Sequence, residues 1–168
     1  RSASIFANED FYDLCCRGRM DLTFLGAAQI DGEGCANNSA IGDWHRPKVR
    51  LPGGGGGAVM LPTALRACTW RTEHSTRTLV NKLDFRTSWG GFHGVVTPIA
   101  TFIKRDGRLA LDSWHPQASL EEVRERTGFE FDASTAHPTD PPTQRELQAL
   151  ASLDPDGQFE RDARVSLR

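Results

Sequence analysis

Chemistry is most legible in one segment of this chain, Arg50-Leu51-Pro52-Gly53-Gly54-Gly55-Gly56-Gly57-Ala58. Five consecutive glycines are costly to order, because glycine loses more backbone freedom on folding than any other residue. The run lies between a basic, proline-flanked approach, His45-Arg46-Pro47-Lys48-Val49-Arg50, and an apolar stretch, Ala58-Val59-Met60-Leu61, able to open a helix. Bare backbone N–H groups leading into a helix suit an anion or a developing oxyanion. Gly53, Gly54, Gly55, Gly56, Gly57 and Ala58 are therefore expected to lie against a ligand's carbonyl or phosphate. A flexible glycine linker is the competing reading. No serine accompanies the glycines, and the flanks are apolar and basic rather than low in complexity.

Gln29, Asn37 and Asn38 form a second candidate group. They follow the apolar run Leu22 to Ala28, and loops at strand ends of open α/β sheets meet ligands. A ligand or subunit-interface role competes here with turn formation, which asparagine does well. Other chemistry is poorly supported. The histidines at 45, 74, 93, 115 and 137 have no i, i+4 or alternating spacing, so no metal site is expected. The glycines lack the Lys-Ser/Thr ending of a nucleotide-binding loop, and no serine sits in a nucleophile elbow. Trp44, Trp70, Trp89 and Trp114 are expected in the core or at its rim, with a ligand contact as the competing reading for Trp44, just before the glycines. Cys15, Cys16, Cys35 and Cys68 show neither metal-ligand nor redox spacing, which suits reduced thiols in the cytoplasm.

Positioning these groups requires strands and helices in alternation. Asn8 to Gly18 predicts a short helix capped by Asn8, with Phe11, Leu14 and Cys15 on one face. The nearly continuous apolar run Leu22 to Ala28 predicts a strand buried on both faces. Asp31 to Gly34 is a turn, and Cys35 to Ser39 a short polar strand or loop. Ala58 to Ala67 suits a helix, with Pro62 best placed in its first turn. Strands are expected over Cys68 to Thr72, Leu79 to Phe85 and Val95 to Lys104, the last demoted or bulged at Pro98. Asp106-Gly107 predicts a hairpin turn into Leu109 to Trp114. Ser119/Glu122 and Thr143/Glu146 are capping boxes opening two helices, the first ending at Thr127-Gly128. Pro138, Pro141 and Pro142 mark an extended linker before the second.

The 168 residues suit one domain with a sizeable core. A formal net charge of −2 gives no basic excess for nucleic acid. No apolar run approaches a membrane span and no signal peptide is evident.

Taken together, several segments resemble the B subunit of the family I CoA-transferases, which act on 3-oxoacids, glutaconate and oxoadipate. Arg17-Gly18-Arg19-Met20-Asp21 through Leu25-Gly26-Ala27-Ala28-Gln29-Ile30-Asp31 is similar to one stretch of that chain. Ile41-Gly42-Asp43-Trp44 through Ala58 is similar to its glycine-rich segment, and Lys82-Leu83-Asp84-Phe85-Arg86-Thr87-Ser88 to a third. His115-Pro116 and Thr127-Gly128-Phe129 resemble its ending. The B chain of a ring-cleaving CoA-thioester hydrolase shares the likeness.

This resemblance implies an α/β fold, CoA-transferase-like: an open, mostly parallel sheet flanked by helices, with a hairpin and a C-terminal helical tail. It implies an A subunit as partner in a heterodimer or heterotetramer, with the active site between the two, and acyl-CoA as substrate rather than a separate cofactor. It implies CoA transfer to a 3-oxoacid or dicarboxylic acid through a glutamyl-CoA intermediate, with the glycine loop beside the thioester. The glutamate belongs to a segment upstream of the first matching motif, and no Glu of this sequence matches it. The chain is accordingly expected to be one B-like domain over 1–168 without that N-terminal segment. A subunit of a CoA-thioester hydrolase, whose glutamate comes from the A chain, and a non-catalytic scaffolding subunit are the alternatives. Arg50-x-x-Gly53-x-Gly55 also superficially fits the pyrophosphate loop of an N-acetyltransferase. That fold needs antiparallel strands before the loop, which the run at 22–28 argues against. Ser88 to Gly94 is shorter than the family's loop there, so a gate over the site is expected to differ.

Overall fold

A computed structural model describes residues 4–158. Its elements, in order, are α1 (Asn8–Cys16), β1 (Thr23–Phe24), β2 (Gln29–Ile30), β3 (Ala36–Asn37), β4 (Ala40–Ile41), β5 (Val49–Arg50), α2 (Gly57–Thr63), β6 (Ala67–Trp70), β7 (Gly94–Val96), β8 (Ala100–Arg105), β9 (Arg108–Trp114), α3 (Leu120–Arg126), β10 (His137–Pro138) and α4 (Gln144–Leu153). A six-stranded sheet runs β1-β6-β7-β8-β9-β10, and two small antiparallel pairs, β2-β3 and β4-β5, stand beside it. Three pairings of the large sheet are parallel (β1-β6, β6-β7, β9-β10) and two antiparallel. The fold is thus the expected α/β type, a mostly parallel sheet with helices around it and a C-terminal helix.

The hydrophobic core gathers on one face of this sheet. Val95, Phe102, Leu109 and Leu111 from the strands meet Ile30, Leu79, Phe92, Val123 and Phe129, all almost wholly buried. Phe102, Phe129 and Phe131 pack edge to face, with centroids 5.2–6.4 Å apart, the arrangement that ring quadrupoles favour. The β8-β9 turn is the expected Asp106-Gly107, both at positive φ (48° and 83°), as a tight hairpin matching the strand twist demands.

Three predicted elements differ. Leu22 to Ala28 is not a strand buried on both faces. Only Thr23–Phe24 is strand, it lies at the sheet edge, and Leu22 and Phe24 are exposed. One face of this parallel region, carrying Phe24, Trp70 and Val96, is uncovered among the described residues. Leu79 to Phe85 forms no strand, only an isolated bridge from Leu79 to Ile30. Leu79 enters the core while Val80 and Leu83 bury against Cys35, so the burial was readable and the extension was not. Val95 to Lys104 is two strands, not one. Pro98 lies in the turn between β7 and β8, and Thr97 Oγ1 accepts from the Ala100 N–H and donates to the Ala100 carbonyl, closing it.

Helix ends follow their caps with three adjustments, the first being that α2 stops at Thr63 and not at the expected Ala67, which instead opens β6. Ala7 rather than Asn8 is the N-cap of α1, and no side chain bonds there; only Cys15 of its expected face is buried. Pro62 falls in the last turn of α2, because the helix starts at Gly57. Among the described residues no helix is long and apolar enough to cross a membrane.

Candidate functional site

The glycine loop is anchored before it is free. Strand β5 pairs with β4, and the ladder continues past it: Leu51 N–H donates to Ser39 O (3.0 Å) and Gly53 N–H to Asn38 O (2.8 Å). At the far end Gly57 N–H donates to Gly54 O (2.8 Å), and the carbonyl of Gly56 accepts from Val59 and Met60. Between these anchors, no described residue accepts from the N–H groups of Gly54, Gly55 or Gly56. Three successive donors therefore stand unused in a loop held at both ends, which is the makings of an anion-binding concavity.

The five glycines answer to different demands. Gly53 and Gly55 adopt positive φ (96° and 46°), a region side chains avoid. Gly54 and Gly56 are pressed by neighbours. A Cβ on Gly54 would stand 2.8 Å from Thr87 Cγ2, and one on Gly56 2.5 Å from the ring and hydroxyl of Tyr12. Gly57 has neither reason: it is helical, and a Cβ there would meet nothing within 4 Å. Alanine would favour the helix by roughly 1 kcal/mol, so nothing inside the chain asks for glycine at 57. Ala58, beside it, is exposed.

Gln29, Asn37 and Asn38 lie behind this loop, joined by hydrogen bonds. Asn37, fully buried, donates from Nδ2 to Gln29 Oε1 and to Ala40 O (both 2.7 Å) and accepts at Oδ1 from Ser39 and Ala40. Gln29 Nε2 donates to Asp84 Oδ2 (3.1 Å), while its Oε1 accepts from Asp84 N–H. The polar atoms of Gln29 and Asn37 are thus engaged within the chain, a positioning geometry. Asn38 ties the end of β1 to the loop: Oδ1 accepts from Ala28 N–H, Nδ2 donates to Gly26 O, and its carbonyl holds Gly53. Thr87 Oγ1 accepts from Asn38 N–H (2.8 Å) and bonds Ser39 Oγ (2.7 Å). The loop thereby sits at the carboxyl end of parallel β1, where open α/β sheets place ligands. A cleft of about 440 Å³ is lined by Gln29 itself with Ala28, Ile41, Thr76, Arg77, Thr78 and Val80.

Two residues near this region carried no signal in the sequence. Tyr12, on α1, lies against Gly56. Arg71, after β6, donates to the Ala27 carbonyl with its Nε buried and unpartnered, and burial lowers its pKa. A tyrosine in an amphipathic helix and an arginine at a strand end look alike in any soluble chain.

Trp44 is placed otherwise than as an open ligand platform. One face stacks on Phe85 (centroids 4.2 Å), and the Arg50 guanidinium lies 4.3 Å from its ring centroid. His115 is structural, with its ring nitrogens at Thr139 Oγ1 and Thr97 O. Asp31, Glu33 and Cys35 bring three ligand-type atoms within 4.8 Å of one another. There Asp31 Oδ1 accepts from the N–H groups of Glu33 and Cys35, Arg86 pairs with both carboxylates, and burial pushes the Cys35 thiol up. A guanidinium already occupies the cation's role, so this is a salt-bridged turn. No hydrogen bond or ion pair among the described residues brings a carboxylate to Gly53–Ala58.

Residues 2–123 match the family model described as Coenzyme A transferase. The chain belongs to that family. It is 35% identical over 156 residues to the B subunit of the 3-oxoadipate CoA-transferase of Pseudomonas knackmussii, covering 82% of this chain and 60% of that one. The crystal structure of the decarboxylase AibA/AibB superposes with a TM-score of 0.83 at 28% identity, over 95% of this chain and 67% of its counterpart. Glutaconate coenzyme A-transferase of Acidaminococcus fermentans superposes with a TM-score of 0.80 at 27% identity, over 95% and 70%. The chain spans about three fifths of the length of the first of these. The family model already spans the β8-β9 hairpin, and the structural likenesses, covering 95% of the chain, extend past residue 123.

Proposed function

We propose that this chain is the B-subunit part of a two-chain enzyme that moves CoA between an acyl-CoA thioester and a carboxylic acid, with Gly54–Gly56 against the thioester carbonyl. The observation that carries the reading is the row of three unused N–H donors, anchored at Gly53 and Gly57, in a chain of the CoA-transferase family. A carboxylate attacking that carbonyl forms its new C–O bond as the C=O electrons move onto oxygen. The resulting oxyanion takes the donors, and its collapse expels the CoA thiolate, leaving an acyl anhydride. The thiolate then attacks the enzyme's half of the anhydride, releases the first acid and forms the enzyme thioester that passes CoA on. Donors fixed before reaction stabilise the oxyanion more than the ground state. The attacking carboxylate lies outside the residues grouped at this loop. Gln29, Asn37 and Asn38 serve as positioning residues, setting the loop against the end of β1. An A subunit supplies the facing wall.

Gly57 provides the test. With open space and a helical backbone, Gly57→Ala should leave the melting temperature unchanged or raised. If a thioester lies against the loop, the added methyl should displace it and reduce turnover of the assembled enzyme by about 10²-fold, the scale of a misplacement of about 1 Å, with a smaller change in CoA binding. Full turnover of Gly57→Ala by the assembled enzyme would overturn the reading.

A further inference from the structure

The β4-β5 hairpin presents exposed cations directly before the glycine loop. His45, Arg46, Lys48 and Arg50 are all exposed, in a chain whose formal charge is −2. Asp43 is the hairpin's one carboxylate, and its Oδ1 accepts from the N–H groups of His45 and Arg46 (2.9 and 3.0 Å). Among the described residues no carboxylate pairs with Arg46, Lys48 or Arg50. With Asp43 as the hairpin's one counter-charge, these solvent-facing cations make a patch of positive potential that attracts anions.

The cations are held in place rather than loose. Arg50 lies over the Trp44 ring and donates to the Trp44 carbonyl (3.2 Å). The Lys48 stem runs over Gly42, its Cγ 3.3 Å from where a Cβ would stand, and Gly42 N–H is fixed by Asp84 Oδ2 (3.0 Å). Lys48 N–H donates to Ile41 O (2.9 Å), and the same ladder continues through Leu51 to Gly53. Lys48, in the bend just before β5, and Arg50, on β5, are two residues apart. They stand six and four residues before Gly54, so at most roughly 20 and 13 Å from it, less where the bend at Lys48 and the positive φ of Gly53 shorten the path.

We propose that this hairpin holds the phosphates at the nucleotide end of a coenzyme A thioester whose carbonyl lies at Gly54–Gly56. The proposal rests on the acyl-CoA reading above and assigns that substrate's other end. The pantetheine arm, with its two amides, is about as long as four or five extended residues, roughly 15 Å. A thioester carbonyl at the loop therefore leaves the diphosphate within reach of Arg50 and Lys48, with the 3′-phosphate assigned to Arg46. Arginine's planar fork matches phosphate oxygens, and lysine serves as a point charge.

The test uses free coenzyme A, 3′-dephospho-coenzyme A and pantetheine as probes, on the chain alone and assembled with its partner chain. Binding is followed by tryptophan fluorescence, Trp44 being stacked beneath Arg50. Arg50 is left intact because it holds Trp44, and Arg46→Ala/Lys48→Ala is compared with wild type. The double variant should bind coenzyme A about 10–100-fold more weakly, from the loss of charge-assisted contacts. It should bind pantetheine equally well and lose most of the wild type's salt dependence. In wild type, 3′-dephospho-coenzyme A should bind less tightly than coenzyme A. Equal coenzyme A affinity in the two proteins, or a loss shared by pantetheine, overturns the proposal. Turnover of an acyl-pantetheine by the assembled enzyme judges the glycine-loop reading separately, since that substrate carries no phosphates.

Discussion

His74 shows how a single side chain couples this fold to pH. It is buried between two hydroxyls, Nδ1 at Thr97 Oγ1 (2.8 Å) and Nε2 at Thr127 Oγ1 (3.0 Å), tying the β7-β8 turn to the end of α3. Burial, with a smaller effect of Arg126, lowers its pKa from 6.5 to about 4. The unfolded chain takes up a proton as pH falls through 6.5, while the folded chain resists until about 4. Stability contributed by neutral His74 is thus present above pH 6.5 and lost as pH falls between those values. The total loss is roughly 3 kcal/mol at about 1.4 kcal/mol per unit. Urea melts at pH 7.5, 6 and 5 should show this decline in wild type. A smaller decline is expected in His74→Gln, which has no proton to take up. Parallel curves for the two proteins would show that the histidine is not responsible.

At the scale of elements, two capping sequences of the same form have unequal consequences. Thr143 and Glu146 make the full reciprocal box: Thr143 Oγ1 accepts from Glu146 N–H, and Glu146 Oε2 accepts from Thr143 N–H. At Ser119 only half forms, since the Glu122 carboxylate turns to Arg126 (2.8 Å). Yet α4 has no buried residue, whereas α3 sends Val123 wholly into the core. Ser119→Ala should therefore lower global stability by about 0.5–2 kcal/mol. Thr143→Ala should leave the unfolding midpoint unchanged while hydrogen exchange over Gln144–Leu153 speeds up. A midpoint shift from Thr143→Ala as large as that from Ser119→Ala would mean that α4 packs on the body.

These caps were legible in the sequence because a cap is local, written in residues three apart. The Asp106-Gly107 turn was legible for the same reason. The stretch Leu79 to Phe85 was not, since Leu79 is buried against Ile30 and the core, and Val80 and Leu83 against Cys35, by contacts that no local pattern records. Leu22 to Ala28 misled because an apolar run gives hydrophobicity but not which neighbours cover it. In the site, the glycine loop was visible as composition. Its brace through Asn38 and Thr87 spans 49 residues, and its contact with Tyr12 spans 44, beyond any motif.

On the scale of the whole molecule, the open face of the sheet governs how the chain meets other chains. Phe24 and Trp70 are 60% and 64% exposed, their rings 6.0 Å apart, and Val96 continues the patch on the next strand. Strands β1, β6 and β7 are parallel here, and parallel sheets are ordinarily covered on both faces. A contiguous apolar patch on such a sheet is a surface for association or aggregation. The chain by itself should therefore self-associate, with a sedimentation coefficient that rises with concentration. Phe24→Ser/Trp70→Ser should reduce that association at little cost in stability, since both rings are already more than half exposed. If the sheet face is responsible, the double substitution restores a monomer, while a charge change elsewhere, such as Arg145→Glu on α4, does not. Assembly with an A subunit separates the surfaces further. If the proposed A subunit gives the same discrete complex with the Phe24→Ser/Trp70→Ser protein and with wild type, the two chains meet elsewhere and the sheet face is an independent surface. A concentration-independent monomer for the wild-type chain would sink the idea that this face drives association.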